Sequence, residues 1–247
     1  MQVVYRISPD KPTGKQRPEW FSKQTCWRSF LRAFGMKAKA GPHLHLITDK
    51  MPPQQTKELV SRAVCPGSMV VHDPIQLECA NGAEAFLRAL GYTLGLDAPD
   101  SEVIYLVEDD YLHLPGAPEA IHEGLGLGFD YVTLYDHPDK YLADSPNPYV
   151  AHGSEATRLY LSPSCHWKTT NSTTMTFACR LGTLRKDAGV MYEINKKATV
   201  PRDFVMFCRL RDGRGRRVAS AVPGLATHCE SKWLAPLVDW KKVCRQR

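Results

Sequence analysis

The sequence holds no apolar run near the ~20 residues that a membrane-spanning helix requires, so no span is expected. Its opening, MQVVYRISPDKPTGK, lacks the apolar centre of an export signal. A cytoplasmic protein, at most peripheral at a membrane surface, is therefore expected. The eight cysteines never stand two or three residues apart, which excludes a zinc knuckle or a thioredoxin-type pair. Dispersed in this way, they read as reduced core residues. No Gly-rich phosphate loop is present: GLGLGFD (124–130) precedes an expected strand instead of opening a helix. Repeats, low-complexity tracts, linkers, helix-turn-helix, zinc-finger and RNP-type sequences are also missing.

What is there is an ordinary globular chain. Its 247 residues, 43% hydrophobic and 23% charged, suffice for one large α/β domain. The net charge of +6 mildly favours an anionic partner without naming one. Strands are expected at 3–7, 43–49 and 69–73, within 102–111, and at 130–135. They alternate with helices at 22–34, 54–64, 82–94 and 117–125. Such alternation predicts a mostly parallel sheet covered by helices. Val103, Ile104, Tyr105, Leu106 and Val107 form an unbroken apolar run, as in a strand buried on both faces. After residue 136 the texture changes: a loop to 157, strands at 158–162 and 173–180, helices at 180–188 and 201–210, then a turn, a strand and a mixed tail. One domain, 1–247, with halves 1–135 and 136–247, is the expected organisation.

The strongest local signal is Glu108-Asp109-Asp110, directly after the buried strand. Adjacent acids repel, and the C-terminal end of a strand is where open α/β sheets bind ligands. A divalent cation relieves the repulsion, and carboxylate oxygens suit Mg²⁺ or Mn²⁺. The plainer alternative is a solvated acidic turn.

The fragment YLVEDDY resembles the acidic DXD-type motif of glycosyltransferases with the GT-A fold, in the form Glu-Asp-Asp. ANGAEAFLRALGY resembles the segment that precedes this motif, PRDFVMFCRL an acceptor-side segment with an acid before a helix, and VPGLATH a C-terminal strand ending in a histidine metal ligand. The resemblance is patchy but ordered, and spans nearly the whole chain. It departs in having Glu at the first motif position, and in lacking the Glu-Asp pair and the Gln/Arg-rich Trp motif of processive enzymes.

The resemblance implies a GT-A-like, Rossmann-like α/β fold with a smaller acceptor-side sheet. It also implies a metal-dependent, inverting transfer of one sugar from a nucleoside-diphosphate sugar to a hydroxyl. On it, Asp110 and His228 would contact Mn²⁺ or Mg²⁺. Asp109 would contact metal or ribose, and Glu108 base or ribose. Tyr5, Arg6, Asp49 and Asn81 would belong to the nucleotide side. Asp203 would be the general base, with Asp187 in reserve; the alternative for Asp203 is stabilisation of a helix N-terminus.

For the acceptor, Asp136, His137 and Lys140 follow an expected parallel strand. His166 and Trp167 lie in a polar stretch, where Trp167 either stacks on a sugar or base or simply packs. Lys196, Lys197, Arg202, Arg209, Arg211, Arg214, Arg216 and Arg217 crowd together, and Lys241, Lys242, Arg245 and Arg247 close the chain. They are either a solvated face or a surface for an anionic acceptor: a glycan, a lipid-linked sugar or a modified DNA base. Two other classes stay open: a non-catalytic nucleotide- or nucleic-acid-binding protein, and a metal-dependent nucleotidyltransferase using Asp130 or Asp136.

Overall fold

Alternating side chains along the strands divide the interior into two layers. Val3, Tyr5 and Ile7 point to one face of the sheet, and Val4 to the other. A computed structural model describes all residues except 11–13, 36–40, 65–68, 143, 149, 151–155 and 247. Cys65 and Arg247 therefore lie outside the described residues.

The first half runs β1 (Gln2–Ile7), α1 (Lys23–Gly35), β2 (His43–Asp49), α2 (Pro53–Val64), β3 (Val70–Val71), β4 (Ile75–Leu77), α3 (Gly82–Leu94), β5 (Val103–Glu108), β6 (Tyr111–His113), α4 (Ala117–Gly126) and β7 (Tyr131–Thr133). The second half runs β8 (Leu159–Leu161), β9 (His166–Thr169), β10 (Phe177–Arg180), α5 (Leu181–Asn195), α6 (Asp203–Arg214), β11 (Val218–Val222), β12 (Ala226–His228) and α7 (Trp240–Arg245).

Ten strands make the main sheet in the order β3-β2-β1-β5-β10-β7-β11-β9-β8, with β4 also paired to β2. The part built from β1 to β5 is parallel, while β10 is antiparallel to both β5 and β7. A second, two-stranded antiparallel sheet joins β6 to β12. The expected α/β class, with a mostly parallel sheet and a smaller sheet beside it, is the class observed. Among the described residues no helix is long and apolar enough to cross a membrane.

Helices α1, α4 and α7 cover one face, where Trp27, Phe30 and Phe34 of α1 stack among Tyr5 and Tyr105. Helices α3, α5 and α6 cover the other, with Phe86, Leu184 and Phe207 against Ile104 and Phe177. Two covered faces explain the unbroken apolar run of β5, since neither side of that strand meets water. They also fix where chemistry can occur. The C-terminal ends of β1, β2, β5, β7 and β11 open on one edge, and the residues leading into β10 arrive there too.

Three local expectations change. The strand expected at 69–73 shortens to Val70–Val71, and after His72-Asp73-Pro74, where proline has no N–H for the ladder, a further short strand follows at Ile75–Leu77. The helix from 180 runs on to Asn195. The polar stretch around His166 contains strand β9, antiparallel to β11. In it Trp167 is fully buried, with Nε1 donating to Ser162 Oγ at 3.1 Å and its ring against Gly124 of α4. A ring enclosed in this way has no face left for a sugar, so the stacking role expected for Trp167 is replaced by packing.

A Cβ at position 124 would lie 2.8 Å from two Trp167 ring carbons and 3.0 Å from Val132. Helix propensity favours alanine over glycine by about 1 kcal/mol. The clash is nevertheless expected to win, so Gly124→Ala should destabilise the protein by about 1–3 kcal/mol in urea unfolding. A stabilised variant would refute the packing.

Candidate active site

The acid triplet sits where β5 leaves the main sheet. Glu108 is the last residue of β5, and the chain turns through Asp109 and Asp110 into β6. Because β6 pairs with β12 in the register Tyr111↔His228, the fold brings Asp110 next to a histidine 118 residues away. His228 Nε2 lies 3.0 Å from Asp110 Oδ2, and Cys229 N–H donates to the Asp110 carbonyl at 2.8 Å. The expected convergence of Asp110 and His228 is thus a feature of the fold.

Each acid has its own cation. Arg6, opposite Glu108 in the β1–β5 register, pairs with the Glu108 carboxylate and donates to the Gly82 carbonyl at 3.0 Å. Lys23, on the first turn of α1, reaches Asp109 at 2.8 Å, and Ser8 N–H donates to the same oxygen at 2.8 Å. Arg17 reaches Asp110 Oδ2 at 2.7 Å, and the Lys15 ammonium stands 3.5 Å from that oxygen.

Burial raises the Glu108 and Asp109 carboxyls above the ordinary range despite Arg6 and Lys23. Burial pushes Asp110 up as well, but His228, Lys15 and Arg17 together hold it well below that range. Asp110 is therefore the carboxylate kept ionised most firmly. Its other oxygen, Oδ1, is buried and has no hydrogen-bond partner among the described residues.

Two protein ligands with a buried free lone pair fit a small hard cation. Two adjacent ligands of an octahedral ion, each ~2.1 Å from it, stand about 3.0 Å apart. Asp110 Oδ2 and His228 Nε2 have that separation, which is also that of their own hydrogen bond, and Oδ2 holds Arg17 and Lys15 as well; the unengaged lone pair is on Oδ1. Among the described residues no set of three His, Cys, Asp or Glu side chains forms a complete ion cage. An ion here would take its remaining ligands from water and phosphate, as Mg²⁺ commonly does.

The other expected site residues are distributed as follows. Tyr5 is fully buried beneath the edge, wedged between Trp27 and Phe30, and offers nothing to a nucleotide. Asp49 ends β2 at the right edge, but its carboxylate accepts from Cys79 N–H at 2.8 Å. Asn81 caps α3 through Glu84 N–H at 3.0 Å. A cavity of about 260 Å³ does open beside Ser8 and Lys23; Gln24, Met51, Gln55, Leu59 and Arg62 line it, together with the carboxylates of Asp10 and Glu58.

Asp136 follows β7 at the same edge but is fully buried. Lys168 pairs with one of its oxygens at 2.6 Å, while Tyr141 donates to the other at 2.7 Å. His137 is closer to the centre. Its ring lies 5.1 Å from Tyr135 and 5.2 Å from Trp233, and Tyr135 is 6.4 Å from His228. Trp233, on the stretch after β12, is a half-buried ring whose carbonyl accepts from the Tyr135 hydroxyl. His166 is exposed at the end of β9, opposite Val222.

Asp187 is fully buried behind the opposite edge, bonded to Tyr131 and Arg216. Asp130 is there too, bonded to Arg216, so Asp130 and Asp136 stand at opposite ends of one strand and form no metal pair. Arg214 and Arg216 of the basic crowd turn inward to Asp187.

Asp203 also reaches the edge, yet both of its oxygens are engaged. It accepts from Ser172 Oγ (2.6 Å), Thr173 N (2.7 Å), Thr173 Oγ1 (2.6 Å) and Met175 N (2.9 Å). Thr174 and Met175 in that loop have left-handed φ of 50° and 61°. A carboxylate with four donors braces an otherwise unfavourable loop, and the loop in turn supports the triplet: Thr176 Oγ1 accepts from Glu108 N–H at 3.2 Å.

No family model and no curated protein matches the chain. Among solved structures, the galactosyltransferase LgtC in complex with donor and acceptor sugar analogues is similar at 11% identity. The alignment covers 89% of this chain and 73% of that one, with a TM-score of 0.48. An active-site mutant of LgtC gives 11% identity, coverage of 89% and 72%, and the same score. Likeness at this level says nothing about the residues or activity of this chain.

Removing the Asp203 carboxylate strands several donors. Asp203→Ala is expected to cost about 2–4 kcal/mol of stability in chemical unfolding. Full stability with complete loss of a measured activity would instead mark Asp203 as the base.

Proposed function

We propose that this chain is a glycosyltransferase that moves a sugar from a nucleoside-diphosphate sugar to a hydroxyl acceptor at the C-terminal edge of its sheet. The observation that carries this reading is the meeting of three acids, His228 and four cations at one sheet edge, beside a cavity with both apolar and amide walls. Such an edge is where nucleotides bind in open α/β sheets. The ordered resemblance of the sequence to GT-A enzymes gives the reaction class.

The cavity between α1 and α2 would take the nucleoside, with Met51 and Leu59 against the base and Gln24 and Gln55 as hydrogen-bonding groups. The diphosphate would then lie over Ser8, Lys23 and Lys15. In transfer, the bond between the anomeric carbon and the diphosphate oxygen breaks as the acceptor oxygen bonds to that carbon. Negative charge grows on the leaving diphosphate, and the acceptor proton must depart. Lys15 and Lys23 stand where they would offset that charge. A divalent ion held by Asp110 and His228 would supply the same stabilisation more strongly. The sugar would face the second sheet, where His137 and Trp233 present rings toward the acceptor side.

The acceptor's identity is left to its chemistry: a hydroxyl on a glycan, a lipid-linked sugar or a modified DNA base. Incubation with a panel of nucleoside-diphosphate sugars and Mn²⁺ should release the nucleoside diphosphate. Asp110→Asn should lower that rate by roughly 100-fold or more. Undiminished release in the variant would refute the role of Asp110. Tight binding without turnover would instead identify a nucleotide-binding protein.

A further inference from the structure

The segment between β1 and α1 lays two cations against Asp110, and it is fastened there. Ser231 N–H donates to the Gln16 carbonyl at 2.8 Å, which pins the backbone between Lys15 and Arg17 to the stretch that follows β12. Arg17 bridges Asp110 Oδ2 and the Cys229 carbonyl, both at 2.7 Å, while its guanidinium lies 4.5 Å above the Phe21 ring. Held by the anchors at Gln16 and Arg17 that follow it, Lys15 projects its ammonium to 3.2 Å from His228 Nε2 and 3.5 Å from Asp110 Oδ2. Those two atoms are themselves 3.0 Å apart, so the three form a nearly equilateral triangle. The ammonium stands on the side of the pair where a shared metal ion would stand.

We propose that Lys15 is the resident cation of this site: its ammonium holds the position between Asp110 and His228, so that a diphosphate binds without added metal and a divalent ion binds only when Lys15 withdraws. This rests on reading the edge as a diphosphate site. The donor inventory supports it. Arg6, Lys15, Arg17 and Lys23 balance Glu108, Asp109, Asp110 and Glu230, the last 3.8 Å from His228 Nδ1, so an incoming anion must use a cation with donors to spare. Lys23 is tied to Asp109, Ser8 O and Ser8 Oγ, whereas the Lys15 side chain is 43% exposed. An ammonium has three N–H donors. One of them points to Asp110 Oδ2 at 3.5 Å; His228 Nε2 takes a second only in the tautomer that leaves this nitrogen unprotonated, and is otherwise the donor to Asp110, so at least one N–H is free to reach a phosphate oxygen. A divalent ion beside the same two ligands would face the ammonium at close range, where like charges exclude one another.

Two titrations test this, using the wild type, Lys15→Met and, as a control for net charge, Lys186→Met on the distant helix α5. Inorganic pyrophosphate is titrated in EDTA, and Mn²⁺ alone is titrated with detection of free ion by its paramagnetic resonance. Pyrophosphate should bind the wild type and Lys186→Met without metal, and about tenfold or more weaker to Lys15→Met. Mn²⁺ should bind Lys15→Met about tenfold or more tighter than the other two. Equal Mn²⁺ affinity in all three proteins would overturn the proposal, as would pyrophosphate binding that requires Mn²⁺. If pyrophosphate fails to bind even with Mn²⁺, the diphosphate reading fails, while the Mn²⁺ comparison still decides whether Lys15 holds the cation position. Because Lys15 is partly exposed and lies outside the regular elements, its replacement leaves the core intact, which thermal unfolding of the variant verifies.

Discussion

Three consecutive carboxylates at the end of a buried strand repel one another, and the arrangement around β5 answers that repulsion. Each acid has a separate counter-charge, delivered by a different piece of chain: Arg6 from the neighbouring strand, Lys23 from the first helix, and Arg17 with Lys15 from the loop between them. Asp110 carries the greatest demand because His228 meets it as well. A buried carboxylate left without partners would protonate or destabilise the fold. Among described residues Asp110 Oδ1 still lacks a hydrogen-bond partner, as does the Tyr5 hydroxyl buried beneath the acids. The edge is thus nearly neutral and internally paired, yet it keeps one unused acceptor and one cation with donor capacity to spare.

The sheet makes this possible. With both faces covered by helices, the strands present only their ends to solvent, and the C-terminal ends collect on one edge. The second sheet has a different job. Pairing β6 with β12 carries the chain away from the main sheet and sets His228 opposite Tyr111. The loop braced by Asp203 closes the third side by holding Thr176 under Glu108. These supports come from distant parts of the chain, so the site depends on the whole fold.

Much of this was legible in the sequence where the signal is local. The apolar run ending in Glu108-Asp109-Asp110 announces a buried strand and its charged exit. Helical spacing announces α1 and α3, and ordered resemblance singles out His228. Signals that depend on distant partners were not legible. Lys15, Arg17 and Lys23 lie in or beside a segment readable as basic, but nothing local tells that they fold onto acids some 85–95 residues later. Asp203 precedes a helix, as a base or a cap would. Its four donors come from 172–175, so its role as a brace exists only in three dimensions. Trp167 misleads for a similar reason: polar neighbours suggest a surface loop, whereas strand β9 turns that one ring inward against a glycine. Tyr5 also alternates inward, beneath the edge that its neighbour Arg6 occupies.

The central claim is that the edge holding Asp110, His228 and Lys15 receives a nucleoside diphosphate. A crystal of the protein soaked with a nucleoside-diphosphate sugar in EDTA tests it most directly. The account predicts diphosphate density against the Lys15 ammonium and the Ser8–Lys23 corner, with the base between α1 and α2. Ordered ligand bound elsewhere, with this edge unchanged, would contradict it.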